Sequence, residues 1–341
     1  MLKSYDPKDK RRFLRMGRFD AGEKACSLWW SGSGFRTRVD CTCLEVEAET
    51  ADSEQKPWLA VTVDGAPLAR FPLMAGRHRY AILEGMERNH PHEVSVTRDT
   101  QPCDSDTAPL LLTAVYSDGE PAAPAARPAL IEFIGDSLTV GEGCVGPESA
   151  AEWRMAWISN QFAYPTLVSD RLNAEKRVIA LGGWGVWRSW DGNPDFTMGR
   201  IYDRLCAVVP GGDVPYDFSS QQPPDAVVIN LGTNDATALS SLIPAERGAA
   251  ETEVTQSAVA LIRQVRRHAP HAVILWVYGM CGGSLKECLS RAVEQSRAEG
   301  DERVAWLPVE DTGIRGSRNH PGRSAHRSLA ERIVQTIKAM S

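Results

Sequence analysis

Three short motifs carry residues that could together attack a carbonyl group. Ser137 lies in the sequence Gly-Asp-Ser-Leu, Asn234 in Gly-Thr-Asn-Asp, and His320 in Asn-His-Pro. A serine hydroxyl becomes a nucleophile when a histidine takes its proton, and an asparagine amide can donate a hydrogen bond to the oxyanion that forms. A glycine pair, Gly182-Gly183, could add main-chain N–H donors, because glycine lets the backbone approach a ligand closely. Together these residue types predict acyl transfer.

Each motif also has an ordinary structural interpretation. An Asp or Ser after a strand often caps the next helix, and Asn and Asp are common in turns. A loop histidine often only faces water, and a glycine pair can simply form a tight turn. The chemical interpretation is favoured because the four motifs follow four different predicted strands.

The elements that must position these motifs lie in the second half of the chain. Strands are predicted at 131–134, 177–181, 226–231, 272–277 and 304–307, and amphipathic helices at 252–268 and 324–339. Continuous apolar strands that alternate with helices indicate an α/β fold with a parallel sheet covered on both sides. Ligands of such sheets bind at the carboxyl ends of the strands, where the motifs fall.

The first half of the chain has a different pattern. Short strand-like segments separated by turn signals indicate an all-β sandwich, with strands at 36–47, 58–63, 93–97 and 110–116. The segment 58–63 runs into Asp64-Gly65, a strong hairpin signal. A Pro/Ala-rich segment follows and predicts a semi-rigid linker. We therefore expect a β-sandwich domain at 1–120, a linker at 121–129 and a catalytic domain at 130–341.

The four motifs resemble those of the SGNH/GDSL hydrolase superfamily, over residues 130–340. The resemblance implies a three-layer, flavodoxin-like parallel-sheet domain. It implies that Ser137 is the nucleophile and His320 its base, with Asn234 and Gly183 in the oxyanion hole. Gly182 is the alternative for the glycine. A serine mechanism of this kind requires no metal and no organic cofactor.

A β-sandwich placed before such a domain is similar to carbohydrate esterase family 2. The segments 30–35, 63–65 and 131–137 look like that family's pattern. This resemblance implies a jelly-roll-like first domain that could contact carbohydrate. It also implies a small-molecule or oligosaccharide ester as substrate, from which acetyl groups are removed.

The residue that would orient His320 departs from the superfamily pattern. Most members carry an aspartate three residues before the histidine, where this chain has Ser317, and the next residue is Arg318. A main-chain carbonyl, as in some family 2 esterases, is one alternative. The nearby acids Asp311 and Glu310 are the second alternative, and some other group is the third.

Tryptophan is abundant, with ten residues. Trp184, Trp187 and Trp190 follow the glycine motif and are candidate substrate contacts, because aromatic faces stack on sugar rings. Packing in the core or in a lid is the competing interpretation.

Composition excludes several other classes of function. The formal charge of −6 disfavours nucleic acid and anionic membranes as partners, and no apolar run is long enough to span a membrane. The eight cysteines include no CxxC pair, so a zinc site is unsupported and we expect reduced thiols. The charged N-terminus lacks the apolar segment of a signal peptide, so we expect a cytoplasmic protein unless a leader was removed. The pattern makes no prediction of oligomeric state.

The sequence leaves two further functions open. The same fold hosts lipases, thioesterases and arylesterases, so the fold alone does not choose among them. A non-catalytic carbohydrate-binding protein is the second alternative, because the usual acid is missing.

Overall fold

The computed structural model of the protein describes residues 1–23 and 25–340 and divides the chain into two compact units. The first unit contains Met1–Arg127 together with Arg154–Ala156 and Arg204–Tyr216. The second contains Pro128–Trp153, Trp157–Asp203 and the residues from Asp217 onward.

The first unit is a β-sandwich of two antiparallel five-stranded sheets. Its strands are β1 (Lys3–Tyr5), β2 (Leu14–Met16), β3 (Cys26–Leu28), β4 (Gly34–Val39), β5 (Cys43–Thr50), β6 (Trp58–Val63), β7 (Ala66–Pro72), β8 (Gly76–Glu84), β9 (His92–Arg98) and β10 (Leu110–Ser117). One sheet has the order β1-β10-β5-β8, with β3 also paired to β10, and the other has the order β2-β4-β9-β6-β7. Strand β5 alternates buried and half-buried residues, as expected for a strand with one face on the core.

Two details of the sandwich bear on the strands that the sequence predicts. The β6–β7 hairpin turns at Asp64 and Gly65, both with positive φ, as the Asp-Gly signal predicted. The segment 36–47, expected as one strand, is two: β4 belongs to one sheet and β5 to the other. The chain leaves β4 at Val39, and the Asp118 carboxylate then accepts the main-chain N–H groups of Thr42 and Cys43 at the start of β5.

Two segments that follow strand β11 in the sequence, 154–156 and 204–216, pack with the sandwich. In the segment 204–216, the carbonyl oxygens of Arg204 and Leu205 accept hydrogen bonds from the buried side chains of Arg18 and Trp30, at 2.8 and 2.7 Å. In the segment 154–156, the main-chain N–H of Met155 donates to Gln55. Residues 121–123 also pair with this unit, since Ala122 exchanges main-chain hydrogen bonds with Arg38. The described first unit therefore combines parts of the chain that are distant in sequence.

The second unit is a five-stranded parallel sheet with helices on both faces, in the order β12-β11-β13-β14-β15. This is the strand order of flavodoxin-like folds. The strands are β11 (Ala129–Gly135), β12 (Ala174–Ala180), β13 (Ala226–Asn230), β14 (Val273–Tyr278) and β15 (Val304–Pro308). The helices are α1 (Ser137–Val140), α2 (Tyr164–Arg171), α3 (Met198–Ile201), α4 (Thr233–Ser240), α5 (Pro244–His268), α6 (Lys286–Ala298) and α7 (Arg323–Met340). Helices α2 and α7 pack together, as do α5 and α6.

Among the described residues, no helix combines the length and apolar character needed to cross a bilayer. None of the eight cysteines, all of which lie in the described part of the chain, forms a disulfide.

Candidate active site

Ser137 begins helix α1 one residue after strand β11, which pairs with β12 and β13 in the parallel sheet. The Asp136 carboxylate caps this helix by accepting the N–H of Leu138 at 3.0 Å, so the motif has the capping role as well as presenting a serine. A Cβ on Gly135 would lie 1.9 Å from the Thr139 hydroxyl, so only glycine fits there. The chain therefore turns tightly and leaves Ser137, 6% exposed, at the carboxyl end of the sheet.

His320 meets Ser137 although 183 residues separate them in sequence. Its Nε2 atom lies 3.0 Å from the Ser137 Oγ atom, and its Nδ1 atom lies 3.0 Å from the carbonyl oxygen of Arg318. A carbonyl only accepts, so this contact assigns the proton to Nδ1 and leaves Nε2 to accept the serine proton. The pair has the hydrogen-bond arrangement that a nucleophile and its base require.

Asp311 and Glu310, the two acids predicted as alternatives for orienting His320, each pair with a basic side chain instead, so that alternative is corrected. Both oxygens of Asp311 accept hydrogen bonds from Arg315, at 2.7 and 2.6 Å, and this contact holds the pKa of Asp311 below its usual value. Glu310 pairs with Lys286 at 2.8 Å. Each of these carboxylates is bound by a basic side chain close to it in the fold. The Nδ1 atom of His320 contacts the Arg318 carbonyl oxygen, so that carbonyl is the group that orients the ring.

A different acid, which the motifs did not identify, lies at the site. Glu142 is 3% exposed, and its Oε2 atom is 3.7 Å from the Nε2 atom of His320. Its other oxygen accepts a hydrogen bond from the Arg318 guanidinium. The signal that could have found it is an acid between two glycines, five residues after the serine.

Asn234 lies in the first turn of helix α4, after strand β13. Its Nδ2 atom donates to the carbonyl oxygen of Trp184 at 2.8 Å and to the Asp136 carboxylate at 3.2 Å. The amide is thereby held at the same edge of the sheet as Ser137. Burial, with the charges of Asp235 and Glu142 nearby, raises the pKa of Asp136 to about 7.

The loop after strand β12 brings Gly183 to the site. Gly183 has a φ of +86°, and its carbonyl oxygen accepts the N–H of Trp190 at 3.0 Å. The buried Asp235 carboxylate fixes the same loop by accepting three main-chain N–H groups, those of Val186, Trp187 and Arg188. Burial raises the pKa of Asp235. Asp235, the residue after Asn234, therefore anchors the loop that contains Gly183.

The three candidate tryptophans have different environments. Trp190 is 60% exposed and lines the cavity above Ser137. Trp187 is buried and donates its indole N–H to Glu253, and Trp184 packs on Phe196 with ring centroids 5.1 Å apart. The expectation that Trp187 contacts substrate is therefore wrong, because its indole is committed to the protein interior. Trp153, which sequence reasoning missed, lines the cavity instead.

All four motif residues open into this one cavity. Its volume is about 340 Å³, and Ser137, His320, Asn234 and Gly183 line it together with Gly182, Glu142, Trp153, Trp190 and Arg318. The size lies within the range usual for small-molecule sites. No group of three or more His, Cys, Asp or Glu residues in the described ranges is arranged to hold a metal ion.

Two family models match the chain, one over each half. The model described as "GDSL-like Lipase/Acylhydrolase family" matches residues 133–338, and "Carbohydrate esterase 2 N-terminal" matches residues 15–123. The chain is 30% identical to the cellulase/esterase CelE of Acetivibrio thermocellus, over 97% of its own length. It spans 40% of the length of that relative.

Solved structures extend the similarity to the whole chain. An acetyl xylan esterase, Est2A, from the rumen bacterium Butyrivibrio proteoclasticus is 26% identical with a TM-score of 0.94, covering 99% of this chain and 98% of that one. A family two carbohydrate esterase from Clostridium thermocellum, in complex with cellohexaose, is 26% identical with a TM-score of 0.84, covering 96% and 98% of the two chains.

Proposed function

Because this chain belongs to the GDSL-like lipase/acylhydrolase family, we propose that it is a serine esterase that removes acetyl groups from carbohydrate. The observation that carries the proposal is the 3.0 Å contact between Ser137 Oγ and His320 Nε2, in a cavity that Asn234 also lines. A nucleophile, its base and an amide donor at one point are the parts that ester hydrolysis needs.

The reaction follows from this arrangement. Ser137 Oγ attacks the ester carbonyl carbon while its proton passes to His320 Nε2. The Ser137 and Gly183 main-chain N–H groups bind the oxyanion. The Asn234 amide joins them by exchanging its 3.2 Å hydrogen bond to Asp136 for one to the oxyanion. His320 then gives the proton to the departing sugar oxygen, which leaves an acyl-serine. Water attacks this intermediate by the same route, with His320 again taking and returning the proton, and acetate leaves.

The substrate class is supported by the relatives and by the cavity. The Butyrivibrio proteoclasticus protein is an acetyl xylan esterase, and the Clostridium thermocellum esterase was solved with cellohexaose. The exposed indole of Trp190 at the cavity offers an apolar face of the kind on which sugar rings stack. We therefore place an acetylated oligosaccharide in this cavity, with the sugar as the leaving group.

The test measures acetate release from acetylated xylan and mannan oligosaccharides, alongside aryl esters of increasing acyl length. A sugar deacetylase should release acetate from at least one oligosaccharide and should lose activity sharply beyond short acyl chains. Ser137→Ala should lower kcat by roughly four orders of magnitude or more, as loss of a serine nucleophile does in other hydrolases.

Two results would reject the proposal. Near-normal hydrolysis of aryl acetate by Ser137→Ala would remove the nucleophile assignment. A wild-type protein that prefers long acyl chains and leaves sugar acetates intact would be a lipase or thioesterase. A fluorophosphonate probe distinguishes a serine hydrolase of any specificity from an inert binding protein, because only the hydrolase would be labelled at Ser137.

A further inference from the structure

Glu142 contacts both the imidazole of His320 and the residue that orients that ring. Its Oε2 atom lies 3.7 Å from His320 Nε2, and its Oε1 atom accepts from the Arg318 guanidinium. Arg318 is also the residue whose carbonyl oxygen accepts the Nδ1–H of His320. One buried carboxylate is thus linked to the catalytic ring at Nε2 directly and at Nδ1 through Arg318.

The conformation of Arg318 explains why it needs such a contact. Its φ and ψ are 54° and 35°, and Asn319 follows with a φ of 58°. This left-handed region is unfavourable for an arginine, because its Cβ crowds the following carbonyl oxygen. The Arg318 N–H donates to the Ala150 carbonyl oxygen at 2.9 Å, and the ion pair with Glu142 holds the other end of the residue. Held in this way, Arg318 directs its carbonyl at the imidazole.

We propose that Glu142 is a positioning residue that replaces part of the missing triad acid. It fixes Arg318 so that the Arg318 carbonyl orients His320, and its negative charge favours the imidazolium that forms when Ser137 loses its proton. A carboxylate in a triad has the same two effects, which a carbonyl alone provides only in part. This inference rests on the proposed esterase function.

Other ionisable groups near Glu142 and His320 also affect the pH profile of activity, so their contributions must be separated. His326 on helix α7 is fully buried, and burial together with the His320 charge lowers its pKa to about 4. It therefore stays neutral where an esterase would be assayed. Burial, with a smaller effect from the Glu142 charge, raises the pKa of Asp136 to about 7, so the contribution of Asp136 must be separated from that of His320.

The first test is Glu142→Gln, assayed for kcat and KM on an aryl acetate across pH. Loss of one charged contact to the ring should lower kcat by roughly 10- to 100-fold with KM almost unchanged. The acid limb of the kcat/KM profile should move to lower pH, because the imidazolium loses a neighbouring anion. Arg318→Gln should also lower kcat but move the acid limb to higher pH, since it leaves the Glu142 charge unneutralised.

Two further variants control these measurements. Glu299→Gln removes the acid of an exposed ion pair between Arg263 on helix α5 and Glu299, the residue that follows helix α6, and its profile should match that of the wild type. Both site variants are measured again in an Asp136→Asn background. Any shift of the acid limb that persists in this background does not come from the titration of Asp136.

The proposal is overturned if the acid limbs of the two site variants coincide with the wild type or move in the same direction. It is also overturned if Glu142→Gln raises KM and leaves kcat intact, which would make Glu142 a substrate contact. The Arg318 side chain is 31% exposed, so Arg318→Gln should fold. If Glu142→Gln does not fold, the pH profile of Arg318→Gln decides the question. Failure of the proposed function looks different, since the wild type would then release no acetate or Ser137→Ala would remain active.

Discussion

The side-chain amide of Asn234 donates to the Asp136 carboxylate, 3.2 Å away. This contact ties the Gly-Thr-Asn-Asp motif to the Gly-Asp-Ser-Leu motif, although 98 positions separate the two residues. Because Asp136 also caps the helix that begins at Ser137, one buried carboxylate contacts both the Asn234 amide and the start of that helix. Asn234 and Ser137 are therefore positioned as one unit.

Replacing Asn234 by alanine should slow the reaction far more than it weakens substrate binding. An oxyanion donor acts mainly on the tetrahedral state, so kcat should fall roughly 100- to 1,000-fold with little change in KM. The variant also leaves the Asp136 and Trp184 acceptors without this donor, which should cost about 1–3 kcal/mol of stability. Steady-state kinetics and urea unfolding measure the two effects. Thr237→Ala, on the exposed side of the same helix, is the control, and an equal loss there would contradict the assignment.

Asp136→Asn should change how stability depends on pH. Burial raises the pKa of Asp136 to about 7 in the folded protein, whereas an unfolded aspartate ionises near pH 4. Between about pH 4 and pH 7 the folded state therefore binds the extra proton, and the free energy of unfolding falls as pH rises. Asparagine cannot ionise, so the stability of the variant relative to wild type should increase across that interval. Urea unfolding at about pH 4.5 and pH 8 measures the difference.

Asp311→Asn provides a control of opposite sign. The hydrogen bonds from Arg315 lower the pKa of Asp311, so its contribution to stability is present above the unfolded value and is lost as pH falls. This variant should be destabilised near neutrality and approach the wild type in acid. If both variants change in the same direction with pH, the assignment for Asp136 is incorrect.

Gly143→Ala should displace His320 from its contact with Ser137. A Cβ at Gly143, which has a φ of +89°, would lie 2.7 Å from the Cβ atom of His320. A shift of the ring by a fraction of an ångström breaks its alignment with Ser137, so kcat should fall by roughly 100-fold. Gly211→Ala is a matched control, because Gly211 has a φ of +82° and no atom near its added Cβ. The left-handed conformation should cost both variants about 1–2 kcal/mol of stability, and Gly143→Ala should lose more because its Cβ would also lie 2.8 Å from the Pro321 carbonyl oxygen. An equal loss of kcat in Gly211→Ala would contradict the explanation.

Local patterns predicted the fold because they depend on residues close together in sequence. Period-two alternation in β5, the Asp-Gly turn after β6 and the continuous apolar strands of the parallel sheet each require only a few adjacent positions. The motifs at Ser137, Asn234 and His320 could be recognised for the same reason. Each follows a strand or precedes a helix, so its position at the carboxyl edge follows from the topology.

The remaining features depend on contacts between distant residues, which a single sequence does not reveal. The break between strands β4 and β5 is stabilised by Asp118, which accepts main-chain N–H groups of Thr42 and Cys43, 76 and 75 positions away. Glu142 and Arg318 are 176 positions apart, and the left-handed conformation of Arg318 has no signature in its residue type. Trp187 and Trp190 are only three residues apart, yet one is buried against Glu253 and the other lines the cavity. Tertiary packing alone distinguishes them.

Trp190→Ala should weaken binding of sugar substrates selectively. The indole is 60% exposed and lines the cavity, so it offers a face for a sugar ring that a small ester cannot use. Loss of one stacking contact should raise KM for an acetylated oligosaccharide by roughly tenfold and leave kcat and the hydrolysis of ethyl acetate almost unchanged. Trp187→Phe is the matched control, because its lost bond to Glu253 should lower stability without a selective effect on the oligosaccharide. Equal losses of kcat/KM for both substrates in Trp190→Ala would show that this indole supports the loop of Gly183 and does not bind sugar.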